Sequence, residues 1–175
     1  MADVDRPRGR SFTPNAIQLV RTTQQIHIHL SAMADQKASI LMGATFVIFT
    51  ISIGQARTSA APLPLMILGV AAFFSAVFAV LAIIPAYTYK ARQPANLLFF
   101  GSFMTIPEDE YIENVLDLLG EDETVYRAMA RDIYQNGRVL GRKKYRLLSV
   151  AYIIFLAGLT LSFLAFLIQY VQWHM

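Results

Sequence analysis

The chain has 175 residues, a net charge of +3, 55% apolar residues, 15% charged residues and no cysteine. That length suits one domain or one membrane module, and the lack of cysteine excludes a disulfide framework, a thiolate metal site and a cysteine nucleophile. The apolar excess is gathered into three blocks with basic residues beside them, which points to a membrane surface and away from nucleic acid.

Residues 1–14 carry Arg6, Arg8 and Arg10 with no apolar run behind them. They read as a disordered basic N-terminus that can rest on anionic lipid, and not as a cleaved signal. Residues 15–37 contain no helix breaker, and Leu19, Ile26, Leu30 and Met33 fall on one helical face. This predicts a cytoplasmic stalk helix that packs through that face. The stalk leads directly into the first apolar block, 38–54, about 17 uncharged residues and near the lower limit for crossing hydrocarbon. The second and third blocks, 63–87 and 147–171, hold about 25 uncharged residues each. Three such blocks in so short a chain leave too little polar surface to cover them in water. In lipid each must satisfy its own backbone hydrogen bonds, so each is a helix. The predicted fold class is an all-α membrane protein: three transmembrane helices with cytoplasmic helical extensions. Gly43, Gly69 and Gly158, with the small-residue face Ala71, Ala72, Ser75, Ala76 and Ala79, predict close helix packing.

Lysine and arginine set the expected topology. The connection between the first two blocks holds only Arg57. Arg21 and Lys37 precede the first block, and Lys90, Arg92, Arg138, Arg142, Lys143, Lys144 and Arg146 lie between the second and third. The positive-inside rule then puts the N-terminus and the helical region 88–146 in the cytoplasm and the C-terminus outside, in a bacterial inner membrane. Tyr87 and Tyr89 become the inner aromatic belt, and Tyr170 and Trp173 the outer one.

Within 88–146, Pro94 forbids a continuous helix. Asn96–Met104 is apolar and aromatic but too short to span, so it is expected to plug against the stalks or lie at the interface. Thr105 and Glu108 have capping-box spacing with Pro107 in the first turn, predicting a helix over 106–119 that stops at Gly120. Glu121–Glu123 suits the start of another helix. From Asp122 it is expected to run for about 50 residues into the third span, with Gly137 and Gly141 as places to bend.

His27, Ser31 and Asp35 share one face of the stalk, but the first and last stand about 12 Å apart along a straight helix. They do not converge as a catalytic triad must. His27 and His29 lie on different faces and make a poor metal pair. No phosphate loop, zinc motif or nucleophile elbow is present. The residues therefore argue for a protein that is not an enzyme, with no catalytic residue and no metal site. What remains is a set of polar residues near membrane depth. Asp35 and Lys37 stand where the stalk enters the first span. Lys37 reads as a snorkelling interface residue, whereas a carboxylate at that depth needs a partner. Lys144 and Arg142, also topology determinants, stand at the matching level of the third helix. A pocket edged by lysine or arginine and roofed by phenylalanine or tyrosine would suit a phosphate joined to a flat base.

Several segments carry a resemblance: Ala34-Asp35-Gln-Lys37-Ala38-Ser-Ile-Leu before the first span, Asn96-Leu-Leu-Phe-Phe-Gly101 after the second, Glu110-Tyr111, Asp132-Ile-Tyr134, and Lys143-Lys144-Tyr145-Arg-Leu-Leu148. Over Gln18 to Ile168 the chain resembles the transmembrane effectors of Pycsar, the bacterial pyrimidine-cyclase antiphage systems. The resemblance implies activation by cyclic CMP or cyclic UMP made by a separate cyclase, injury to the inner membrane, and arrest of the infected cell before phage mature. It implies no cofactor beyond that ligand, and partners limited to the membrane, the nucleotide and further copies of the chain as a homo-oligomer, without nucleic acid. The ligand residues inferred from the matched polar and aromatic positions are Asp35, Lys37, Asn96, Phe99, Phe100, Tyr134, Arg142 and Lys144. One rival is a membrane scaffold that recruits a cytoplasmic partner without a nucleotide. Another is a membrane enzyme or transporter, disfavoured because the spans carry no ionisable residue and the chain no internal repeat.

Overall fold

The computed structural model describes residues 11–58, 62–84 and 96–174. The side chain of Phe100 and the expectations placed on residues 1–10, Tyr87, Tyr89, Lys90, Arg92 and Pro94 lie outside the described residues. The order is α1 (Ala16–Thr58), α2 (Leu63–Ile83), α3 (Phe100–Phe103), α4 (Glu108–Leu118), α5 (Asp122–Val139), a π-helical turn (Leu140–Tyr145) and α6 (Arg146–His174). Every regular element among the described residues is helical, and three helices are long and apolar enough to cross a membrane. The chain is an all-α membrane protein. Helix α1 is unbroken through stalk and span for 43 residues, and α5, the π turn and α6 form one run of 53 residues from Asp122 to His174.

The chain divides into two compact units. The apolar unit comprises residues 29–84 and 139–174 of those described. Its core consists of small side chains: Ala34, Ala38 and Leu41 of α1, Ala79 and Ala82 of α2, and Leu148 and Ala151 of α6. Two of the four glycines in the apolar blocks sit at helix contacts. A methyl group on Gly158 would lie 2.0 Å from Ala71 Cβ, and one on Gly69 would lie 2.7 Å from Ser52 Cβ. Backbones that close leave no room for a side chain, which is how helices gain contact in lipid. Gly43 has nothing within 4 Å of the same position, so it does not serve that packing. Hydroxyls pin the contacts: Ser75 Oγ donates to Ala151 O at 2.8 Å and Ser162 Oγ to Pro64 O at 2.7 Å, both buried.

The polar unit comprises residues 11–28 and 96–138. Thr124 Oγ1 bonds the carbonyls of Leu118 and Glu121, each at 2.6 Å, and so ties the end of α4 to the start of α5. Phe103 stacks on Tyr111 with ring centroids 4.8 Å apart, and Phe12 on Tyr126 at 4.4 Å.

Two local expectations are corrected. Helix α4 starts at Glu108 behind Pro107, which makes no side-chain cap bond, and Thr105 Oγ1 points back to Ser102 O. The three acidic residues of the first turn already complement the helix dipole, so the capping box is not required. The helix stops before Gly120 as expected, with no left-handed residue there, and Thr124 closes the turn. On the stalk, Leu19 and Ile26 are exposed, while Gln24, His27 and Ser31 are turned partly inward. Polar partners on other helices decide that rotation.

Candidate functional site

In the apolar unit the polar chemistry gathers around the π turn. A π turn opens the helix by one residue and is frequent at functional positions. Here it offers three consecutive side chains to acceptors on four residues. Lys143 Nζ donates to the carbonyl of Ile84, just past the C-terminus of α2, at 2.8 Å. Lys144 Nζ donates to both carboxylate oxygens of Asp35 and to Ser31 Oγ, each at 2.8 Å. Tyr145 OH donates to Leu30 O at 3.3 Å. Lys144 uses its three protons on three oxygens, and it is the more enclosed partner, with a side chain 18% exposed against 42% for Asp35. Gly141 opens on empty space, so no side-chain packing opposes the widened turn there.

In the polar unit the centre is Asp132, a carboxylate 7% exposed. Asn96 Nδ2 donates to Asp132 Oδ1 at 3.0 Å and to Gln135 Oε1 at 2.9 Å. Gln24 Nε2 donates to Asp132 Oδ2 at 3.2 Å. Asn96 Oδ1 accepts the Leu98 N–H at 3.0 Å, and the Asn96 N–H donates to Ser102 Oγ at 2.9 Å. One asparagine thereby locks the segment after the second span onto α5, and Gln24 ties α1 to the same carboxylate. Beside the network, His27 has a buried Nδ1 without a hydrogen-bond partner, and its ring lies against Gly137, where a methyl group would come within 3.2 Å of it. No group of three or more metal-binding side chains occurs among the described residues.

This layout of three spanning helices, a charged grip at the foot of the third and an asparagine lock after the second accompanies a family match. Residues 18–170 match the Pycsar effector protein domain. The chain belongs to that family. As a Pycsar effector it is a transmembrane component and not the cyclase, and it serves an antiphage system from the bacterial inner membrane. No curated protein and no solved structure matches the chain.

The eight residues inferred from the sequence of this effector divide between the units. Asp35, Lys37, Arg142 and Lys144 belong to the apolar unit, where Asp35 and Lys144 are paired. Arg142 is exposed, with no described partner. Lys37 is exposed, and its backbone carbonyl accepts from Tyr152 OH at 3.2 Å. Asn96, Phe99, Phe100 and Tyr134 belong to the polar unit. Asn96 is fully engaged, Phe99 covers Gly101, and Tyr134 is exposed beneath the Arg138 guanidinium, 5.8 Å from its ring centre. Sequence reasoning missed Ser31 and Lys143 as grip residues, and Gln24, Asp132 and Gln135 as a network. A signal existed for Asp132, which continues the half-buried apolar row Val125 and Met129 of its helix. An isolated carboxylate in such a row needs donors from elsewhere.

Proposed function

We propose that the chain is a membrane effector switched on by a cyclic pyrimidine mononucleotide, cyclic CMP or cyclic UMP, made by a separate cyclase. It works by disturbing the inner membrane and not by turnover, and the outcome is abortive infection. The family match carries this reading. The geometry supports it at the π turn: Lys144 is half-buried and already bound to an anion, Asp35, and a phosphate is an anion of the same kind with better acceptors. Ligand phosphate competes with Asp35 for Lys144, with the exposed Arg142 as a second cation. From the sequence resemblance alone, Phe99, Phe100 and Tyr134 are the candidates for the base. To reverse a 1:99 resting population the ligand must favour the active state by about 5.5 kcal/mol.

The spans are assigned to 38–54, 63–87 and 147–171, with the N-terminus and 88–146 in the cytoplasm and the C-terminus outside, on the asymmetry of lysine and arginine. Calorimetric titration of the detergent-purified protein with cyclic CMP, UMP, AMP and GMP tests the ligand. The expected result is micromolar binding of one pyrimidine nucleotide, abolished in Arg142→Gln/Lys144→Gln. Dye release from vesicles holding the protein should rise on adding that nucleotide. Binding without release would remove the membrane-injury step. No binding by any of the four, from folded protein, moves the assignment to a membrane scaffold that recruits a cytoplasmic partner.

A further inference from the structure

Helix α4 has no buried residue. Ile112, Leu116 and Leu119, spaced to share one face, are 44%, 57% and 61% exposed. They lie in the polar unit, outside the segments long enough to cross lipid, so lipid contact in a span does not account for them. Carboxylates frame them. Eight of the chain's twelve acidic residues fall between Glu108 and Glu123, and no lysine or arginine occurs from residue 93 to 126. None of the five acidic residues of α4 forms an ion pair among the described residues. An apolar stripe with an acidic border is repelled by an anionic membrane surface, which attracts basic segments. It calls for an apolar surface bordered by cations.

Helix α5 supplies such a surface. Arg127, Arg131, Tyr134 and Arg138 lie within one narrow arc of the helix and are all exposed. Tyr134 is 65% exposed and Arg138 lies over its ring. Arg131 has no ion-pair partner among the described residues. The arc offers a flat aromatic centre with cations around it, the complement of the α4 stripe. Both faces are present on every copy, and eleven more basic than acidic residues remain once 108–123 is set aside.

We propose that the α4 face docks on the α5 face of a second copy of this chain: Leu116 and Ile112 against Tyr134, with Asp109 and Glu113 opposite Arg131 and Arg138. The two faces differ and every copy carries both, so the contact is made either twice, reciprocally, in a two-fold dimer or once per copy in a head-to-tail ring or row. It exists without ligand and does not depend on the nucleotide assignment.

The chain has no cysteine, so each introduced thiol is unique. Two full-length copies with different tags, one carrying Leu116→Cys and the other Tyr134→Cys, are expressed together and oxidised in native membranes. A disulfide-linked product containing both tags is expected, at least tenfold above that of either variant with itself. Asp109→Lys/Glu113→Lys in the first copy should lower it at least tenfold, and Arg131→Glu/Arg138→Glu in the second should restore it. The proposal is overturned if the Leu116→Cys copies link chiefly to each other, if charge reversal leaves the yield unchanged, or if no mixed product forms. A thiol at 116 shielded from soluble maleimide without a mixed product would assign the face to another protein or to the membrane, and would equally overturn it.

Discussion

Helix α6 meets α2 at Gly158, where even one methyl group would overlap Ala71. Helix α5 meets its neighbours at Asp132, where a whole carboxylate is wrapped by the amides of Asn96 and Gln24. The first contact works by removing side chain, the second by supplying it. Their surroundings explain the difference. Between spans in lipid there is no hydrophobic gain from association, so close van der Waals approach must hold the helices together. In the polar unit a buried carboxylate is tolerable only when its oxygens are saturated, and once saturated it fixes one arrangement of the segments that bond to it. The two units therefore answer differently to substitution.

Gly158→Leu should show the largest effect. The side chain cannot fit between α6 and α2, and the expected result is little folded protein recovered from membranes. Gly158→Ala should lower stability by about 1–3 kcal/mol, read by thermal unfolding in detergent. Asp132→Ala comes next: it leaves two buried amide donors unpaired at a loss of about 1–3 kcal/mol, whereas Asp132→Asn, which keeps one acceptor, should lose less. Hydrogen exchange should place that loss in Asn96–Leu98. If it falls on the spans, the two units do not respond separately. Lys144→Met removes an ion pair whose carboxylate is more than one-third exposed, so the loss should be only about 0–1 kcal/mol, and Asp35→Lys/Lys144→Asp should recover part of it. The smallest effect belongs to Ser75→Ala, near 0.6 kcal/mol as for hydrogen bonds between membrane helices. Gly43→Ala, with open space around it, should bring no loss. A destabilisation there equal to that at Gly158 would show that intrinsic helix propensity, and not the helix contact, governs the span glycines.

The ion pair of Asp35 illustrates how far sequence reasoning reaches. The need of that carboxylate for a basic partner follows from its depth, and Lys144 and Arg142 follow as candidates from their level on the third helix. The choice between them does not, because it depends on the π turn, which delivers three successive side chains to separate acceptors and leaves Arg142 outside. The stalk is a similar case. Leu19 and Ile26 promised a packing face, yet the helix turns Gln24 and Ser31 inward to meet Asp132 and Lys144, partners 108 and 113 residues away along the chain. Periodicity along one helix carries no trace of donors that distant. Asn96 was singled out beside Phe99 and Phe100 as a ligand residue, but its side chain is occupied within its own unit, which no local pattern reveals.

By itself the sequence determined the all-helical class, the three spans and the continuity of stalk with span. These depend on the partition of apolar segments out of water and on backbone bonding within a segment, both local quantities. The tertiary structure alone decided which glycines lie at helix contacts, which side of the stalk faces inward, which lysine holds Asp35, and that α4 keeps an uncovered apolar face. Each of these is settled by groups far apart in the chain that must share one small volume, where a single methyl group or one unpaired proton outweighs any local preference.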